Sequence, residues 1–90
     1  MENEARKQSL DKLYETILKL ETKEDCEAFF ADLCTYTEVQ NMADRVMAAK
    51  LLKEGQTYNE VIAKTNISSA TLSRVSRSLK YGSGYKKFVD

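Results

Sequence analysis

Residues 63–89 carry six cations, Lys64, Arg74, Arg77, Lys80, Lys86 and Lys87, with no acid among them. Such a stretch attracts polyanions, and its neighbours suit a nucleic acid better than a metal or a transferred group. Ser68, Ser69, Ala70, Thr71 and Ser73 are small or hydroxylated. A helix starting with them lets the backbone approach base edges, its hydroxyls can bond bases or phosphates, and an alanine can touch a thymine methyl. The N–H groups that open such a helix can also meet a phosphate. Arg74, Arg77 and Lys80 follow at spacings of three and suit phosphates or guanine. Ser68, Ser69, Ala70, Thr71, Ser73, Arg74, Arg77 and Lys80 are therefore the candidate DNA-binding residues.

Other chemistries lack their parts. The chain has no His, which rules out Ser/His and Cys/His nucleophilic machinery and the zinc sets that need imidazole. Carboxylates are plentiful, but no reactive cysteine setting or Gly-rich phosphate loop accompanies them, so the expected function is not enzymatic and needs no metal or cofactor. Cys26 and Cys34 lie eight apart in a segment read as one helix, roughly 12 Å along its axis, too far to bridge. They read as small buried apolar side chains.

Charge balance hides an asymmetry. The total is 14 bases against 14 acids, yet residues 1–44 carry five bases and eleven acids, a net of −6, and residues 45–90 a net of +6. With 90 residues and 42% hydrophobic content, a lone chain hides only about 60–65% of the surface its unfolded form exposes, which makes a second subunit expected. No apolar run approaches the roughly 18 residues of a membrane span, and the polar start is unlike a signal peptide, so a cytoplasmic protein without a membrane partner is expected.

The elements that must position the cationic segment are helices. Proline is absent, and Gly55, Gly82 and Gly84 fall where helices should stop. Leu10, Leu13, Tyr14, Ile17 and Leu18 follow the i, i+3, i+4 spacing of one apolar stripe, predicting a first helix over about 4–20. Thr22 and Asp25 form an approximate capping box for a second helix with Cys26, Phe29, Phe30, Leu33 and Cys34 on its apolar face. Thr37 and Gln40 suggest another box, opening a helix to about Glu54 with Gly55 as left-handed C-cap. Its apolar positions, among them Val39, Met42, Val46, Met47 and Leu51, spread over more than one face, as in a buried central rod. Thr57 and Glu60 form a third box, starting a short helix that buries Val61 and Ile62 and ends near Thr65, with Asn66 left-handed. Ser68 caps a fifth helix reaching about Lys80, with Leu72, Val75 and Leu79 inward. The tail 81–90 reads as irregular.

The last two helices, joined by Asn66, Ile67 and Ser68, have helix-turn-helix spacing. Ile67 packing with Val61, Leu72 and Val75 would fix their angle. The chain is read as one helical domain: dimerisation helices over 1–55, the helix-turn-helix over 57–80 and the tail.

Residues 33–80 also resemble the Trp repressor family, especially its YerC/YecD branch, through Thr35, Glu38, Arg45, Leu52, Gly55, Glu60, the run Ala70-Thr71-Leu72-Ser73-Arg74 and then Ser78-Leu79-Lys80. The resemblance implies an all-α, Trp-repressor-like fold of about five helices, an intertwined homodimer with one helix-turn-helix projecting from each end, and a transcriptional repressor of double-stranded DNA. It also implies an effector pocket at Thr35, Arg45, Arg74 and Val75, because the family holds an indole between two arginines at the positions of Arg45 and Arg74. Val75 stands where the family has glycine, and Asp32 and Cys34 replace apolar leucines, which disfavours tryptophan and leaves another small corepressor open. Ile62 occupies a usually small position at the crossing of the two helices. The alternative reading is a protein-interaction module that keeps this fold and binds through the fifth helix or the Tyr/Phe tail.

Overall fold

The computed structural model describes residues 2–90 as six helices: α1 (Glu2–Ile17), α2 (Lys23–Leu33), α3 (Tyr36–Lys53), α4 (Tyr58–Lys64), α5 (Ser69–Tyr81) and α6 (Gly84–Phe88). No strand occurs among the described residues. The fold is all-α, as the sequence implies, with a short sixth helix added. None of the described helices is long and apolar enough to cross a membrane. The helices group into two compact units, one ending at Thr35 and the other Tyr36–Asp90.

In the first unit, α1 stops at Ile17, three residues before the predicted end. The chain then tightens through i to i−3 hydrogen bonds from Lys19 N to Thr16 O and from Leu20 N to Ile17 O. Thr22 caps α2 as expected, its side chain accepting from Asp25 N. The reciprocal half of the box is displaced by one residue, because Asp25 Oδ2 accepts from Glu21 N at 3.0 Å rather than from Thr22 N. That hydrogen bond is the main reason the Asp25 carboxyl sits below its usual range. Among the described residues neither helix contributes a buried side chain: Leu10 is 50% exposed and Tyr14 59%, and Leu18, just past the end of α1, is 83% exposed. The cysteines also depart from expectation. Cys26 is exposed, and Cys34 is a half-buried C-cap residue beyond the last turn of α2. A buried cysteine needs a covering surface, and this two-helix unit does not provide one.

The second unit holds the core, made of Ala48, Ala49, Leu51, Val61, Ile67, Leu72 and Val75. Helix α3 begins at Tyr36, so Thr37 lies inside it and cannot cap it. Gln40 instead donates from Nε2 to Asp44 Oδ1 at 3.0 Å along the helix surface. Glu38 falls in the first turn, where a negative charge complements the helix dipole. The central-rod expectation holds only for one face of the C-terminal half, where Ala48, Ala49 and Leu51 are buried while Val46 and Met47 are nearly half exposed. At the other end Gly55 takes φ 89°. Its N–H donates to Leu52 O, and Gln56 N donates to Leu51 O. This is the paired closure that a left-handed glycine permits.

Helix α4 has both halves of the capping box, Thr57 Oγ1 accepting from Glu60 N and Glu60 Oε1 from Thr57 N. It ends on an extended Thr65, whose N–H and Oγ1 both bond Val61 O. No left-handed residue is needed there, and no described non-glycine residue has positive φ, so Asn66 does not adopt the predicted conformation. Val61 is fully buried whereas Ile62 is 36% exposed, because the next residue around a seven-residue helix already faces outward.

The capping box supports a pH prediction. The Glu60 carboxyl is held below its ordinary 4.5, chiefly by the Thr57 backbone N–H. A lowered folded-state pKa contributes stability that is complete above the ordinary value and lost as pH falls through the lowered one. Glu60→Gln preserves a capping geometry without the titration. Thermal melts of the variant between about pH 6 and pH 3 are expected to change less with acid than the parent's below about pH 4.5. Parallel profiles would mean that Glu60 contributes nothing to acid sensitivity.

Candidate nucleic-acid interface

Helix α5 is positioned by its buried side. Leu72 is fully buried and Val75 is 2% exposed. With Val61 of α4 and Ile67 of the connection, they form the packing predicted to set the helix-turn-helix angle. The connection is Thr65–Ser68, one residue longer than predicted, because α4 ends at Lys64. Ser68 caps α5, its Oγ accepting from Thr71 N at 3.2 Å and lying 3.0 Å from Thr71 Oγ1, to which it donates.

The predicted DNA-binding residues do not all share one face. At 100° per residue, Ala70, Arg74, Arg77 and Tyr81 follow i, i+4, i+7, i+11 and form a stripe opposite Leu72 and Val75. All four are exposed. Ser69, Ser73 and Lys80 lie along one edge of that stripe, also exposed. Thr71 turns to the other edge, is half-buried, and faces α3. The cations differ too. Lys64 Nζ donates to Gln56 Oε1 at 2.8 Å and Lys86 Nζ to Lys80 O at 2.8 Å. Arg74 and Arg77 form no salt bridge among the described residues.

The α3 and α5 packing brings Arg45 beside Arg74. An open cleft of about 290 Å³ is lined by Arg45, Thr71, Arg74, Val75, Ser78 and Tyr85. A second recess of about 250 Å³ joins Arg45, Asn41 and Asp44 of α3 to Asn66, Ile67, Ser68 and Thr71. Three of the four residues named for an effector pocket, Arg45, Arg74 and Val75, thus meet in one cleft. Thr35 belongs to the N-terminal unit.

Tyr85 was not legible as a cleft residue, since the tail read as irregular. The tail instead forms α6, with Tyr85 and Val89 packed against the core. Lys53 Nζ fastens it by donating to Lys86 O at 3.1 Å and to Val89 O. The available signal was Tyr85 and Val89 at i, i+4 after the Gly82-Ser83-Gly84 turn.

Comparison with known proteins agrees with this architecture. The Trp repressor protein family matches residues 8–90. The uncharacterised protein YerC of Bacillus subtilis strain 168 is 44% identical over 86 residues, spanning 94% of this chain and 83% of that protein. The crystal structure of a candidate Trp repressor from Staphylococcus aureus has 44% identity and a TM-score of 0.84, covering 88% of this chain and 80% of that one. A TrpR-like protein from Eubacterium eligens ATCC 27750 has 40% identity and a TM-score of 0.87, covering 94% and 89%. The family match takes in α2 to α6 whole, with both helices of the helix-turn-helix, and the chain belongs to the Trp repressor family.

Proposed function

We propose that the protein is a sequence-specific double-stranded DNA-binding transcriptional regulator, a repressor acting as a cytoplasmic homodimer. The observation that carries this reading is the outer stripe of α5, which places Ala70 near the capped helix start and two arginines without salt bridges behind it. A small residue at the tip admits close approach to base edges, and guanidinium groups behind it reach guanine or phosphate. Family membership supports the regulatory role.

The dimer reading is supported by surface that the single chain leaves open. The stripe of Leu10 and Tyr14 on α1 and Leu18 just beyond its end is half or more exposed, and contiguous apolar surface of this kind marks a subunit interface. Two recognition helices about 34 Å apart then read two half-sites of a palindrome. In this reading no tryptophan is required. Val75 and Tyr85 line the Arg45 and Arg74 cleft, where the family resemblance places an indole, and a different small corepressor is compatible with two guanidinium groups.

The test is selection from a random duplex library with purified protein at two salt concentrations. A two-fold symmetric motif with salt-sensitive affinity is the expected result. Failure to bind any duplex at low salt would move the assignment to the protein-interaction module.

A further inference from the structure

Tyr81 ends α5 one residue beyond the predicted boundary and is 75% exposed. A single exposed aromatic is ordinary, but this one is left outside although a packing surface is near. The neighbouring tail folds back, and its Tyr85 lies against the edge of α5 formed by Thr71, Arg74 and Ser78. Tyr81 instead continues the outer stripe of Ala70, Arg74 and Arg77, which adjoins that edge at Arg74. Gly82 directs this split. Its N–H donates to Ser78 O at 2.8 Å, and a Cβ there would lie 2.7 Å from that oxygen, so a tight exit keeps Tyr81 on the helix while the chain turns away. Lys80 Nζ lies 5.5 Å from the Tyr81 ring centroid. The Tyr81 hydroxyl has no hydrogen-bond partner among the described residues.

We propose that Tyr81 donates its phenolic O–H to a backbone phosphate of duplex DNA, beside Lys80, and forms the outer edge of the DNA-binding surface. The inference rests on the DNA-binding reading of α5 and extends it to a residue outside the predicted set. Tyr81 lies eleven residues beyond Ala70, roughly 16 Å along the helix axis. The major groove is about 12 Å wide and about 8.5 Å deep. With Ala70 at the base edges, Tyr81 stands at the lip of the groove, where sugar and phosphate are presented rather than bases. Charge complementarity favours the same partner, since residues 63–89 contain no acid.

A neutral donor on a phosphate leaves a distinctive signature. It adds affinity without releasing a counterion, so its loss should weaken binding without changing the salt slope, whereas loss of Lys80 should reduce the slope by about one. Tyr81→Phe keeps the ring and removes only the donor. Fluorescence anisotropy of full-length protein, on the duplex selected above and on an unrelated duplex across a salt series, is the experiment. The variant is expected to bind both duplexes about fivefold more weakly at an unchanged slope. Unchanged affinity would overturn the assignment, as would a loss confined to the selected duplex, which would indicate a base contact. If the parent protein binds no duplex, the DNA-binding reading falls and this assignment with it; if the parent binds and only Tyr81→Phe is silent, the DNA-binding reading stands.

Discussion

The double substitution Arg74→Ala with Arg77→Ala is expected to weaken operator binding by about 100-fold, taking roughly 1–3 kcal/mol for each well-placed guanidinium contact. Both side chains are exposed and neither forms a salt bridge among the described residues. Their removal therefore should not destabilise α5, whose packing runs through Leu72 and Val75. Far-UV circular dichroism should match the parent while the salt dependence becomes shallower by about two in the logarithmic slope if both meet phosphates. The single variants separate two roles. Arg77 lies on the stripe alone, whereas Arg74 also lines the cleft with Arg45. Arg77→Ala should thus act on DNA affinity only, and Arg74→Ala should also change the response to any ligand of the cleft. Parent-like affinity and salt slope in the double variant would refute the assignment of α5 as the recognition helix.

The largest effect on folding is expected at Leu72. Its side chain is fully buried among Ala48, Ala49, Leu51, Val61, Ile67 and Val75. Truncation to alanine removes that burial and leaves a cavity, together costing about 2–5 kcal/mol. A small domain's whole stability is about 5–15 kcal/mol, so Leu72→Ala should lower Tm by roughly 10–30 °C. Ile62→Ala is the informative control. Both residues read as inward-facing from sequence spacing, yet Ile62 is 36% exposed, and its truncation should cost about 1 kcal/mol or less. Differential scanning calorimetry at one fixed protein concentration separates them, since dimerisation would make Tm concentration-dependent. Equal Tm losses for the two variants would contradict the packing of α4 against α5. Loss of DNA binding in Leu72→Ala without loss of helicity would show that the helix-turn-helix angle depends on this core.

Much of this protein follows from local sequence alone. The capping residues Thr22, Thr57 and Ser68, the left-handed Gly55 and the apolar periodicity act within a turn or two of chain. The five longer helices, the two-helix motif and its core of Val61, Ile67, Leu72 and Val75 were legible for that reason. The failures share a different cause. Thr37 and Gln40 match a capping box in spacing, but α3 opens one residue before Thr37, and Gln40 pairs with Asp44 instead. Ile62 and the two cysteines are apolar at helical spacing, yet burial requires a neighbour that spacing does not specify. Nor could periodicity foresee that the tail would form α6 and fasten to Lys53, a contact across more than thirty residues. That fastening brings Tyr85 to the Arg45 and Arg74 cleft and leaves Tyr81 on the outer stripe. The sequence by itself determined which chemistry the fifth helix carries, a capped start of small residues followed by cations. Only the tertiary structure decided which of those residues share a face, because that depends on how α3 and α6 pack against α5.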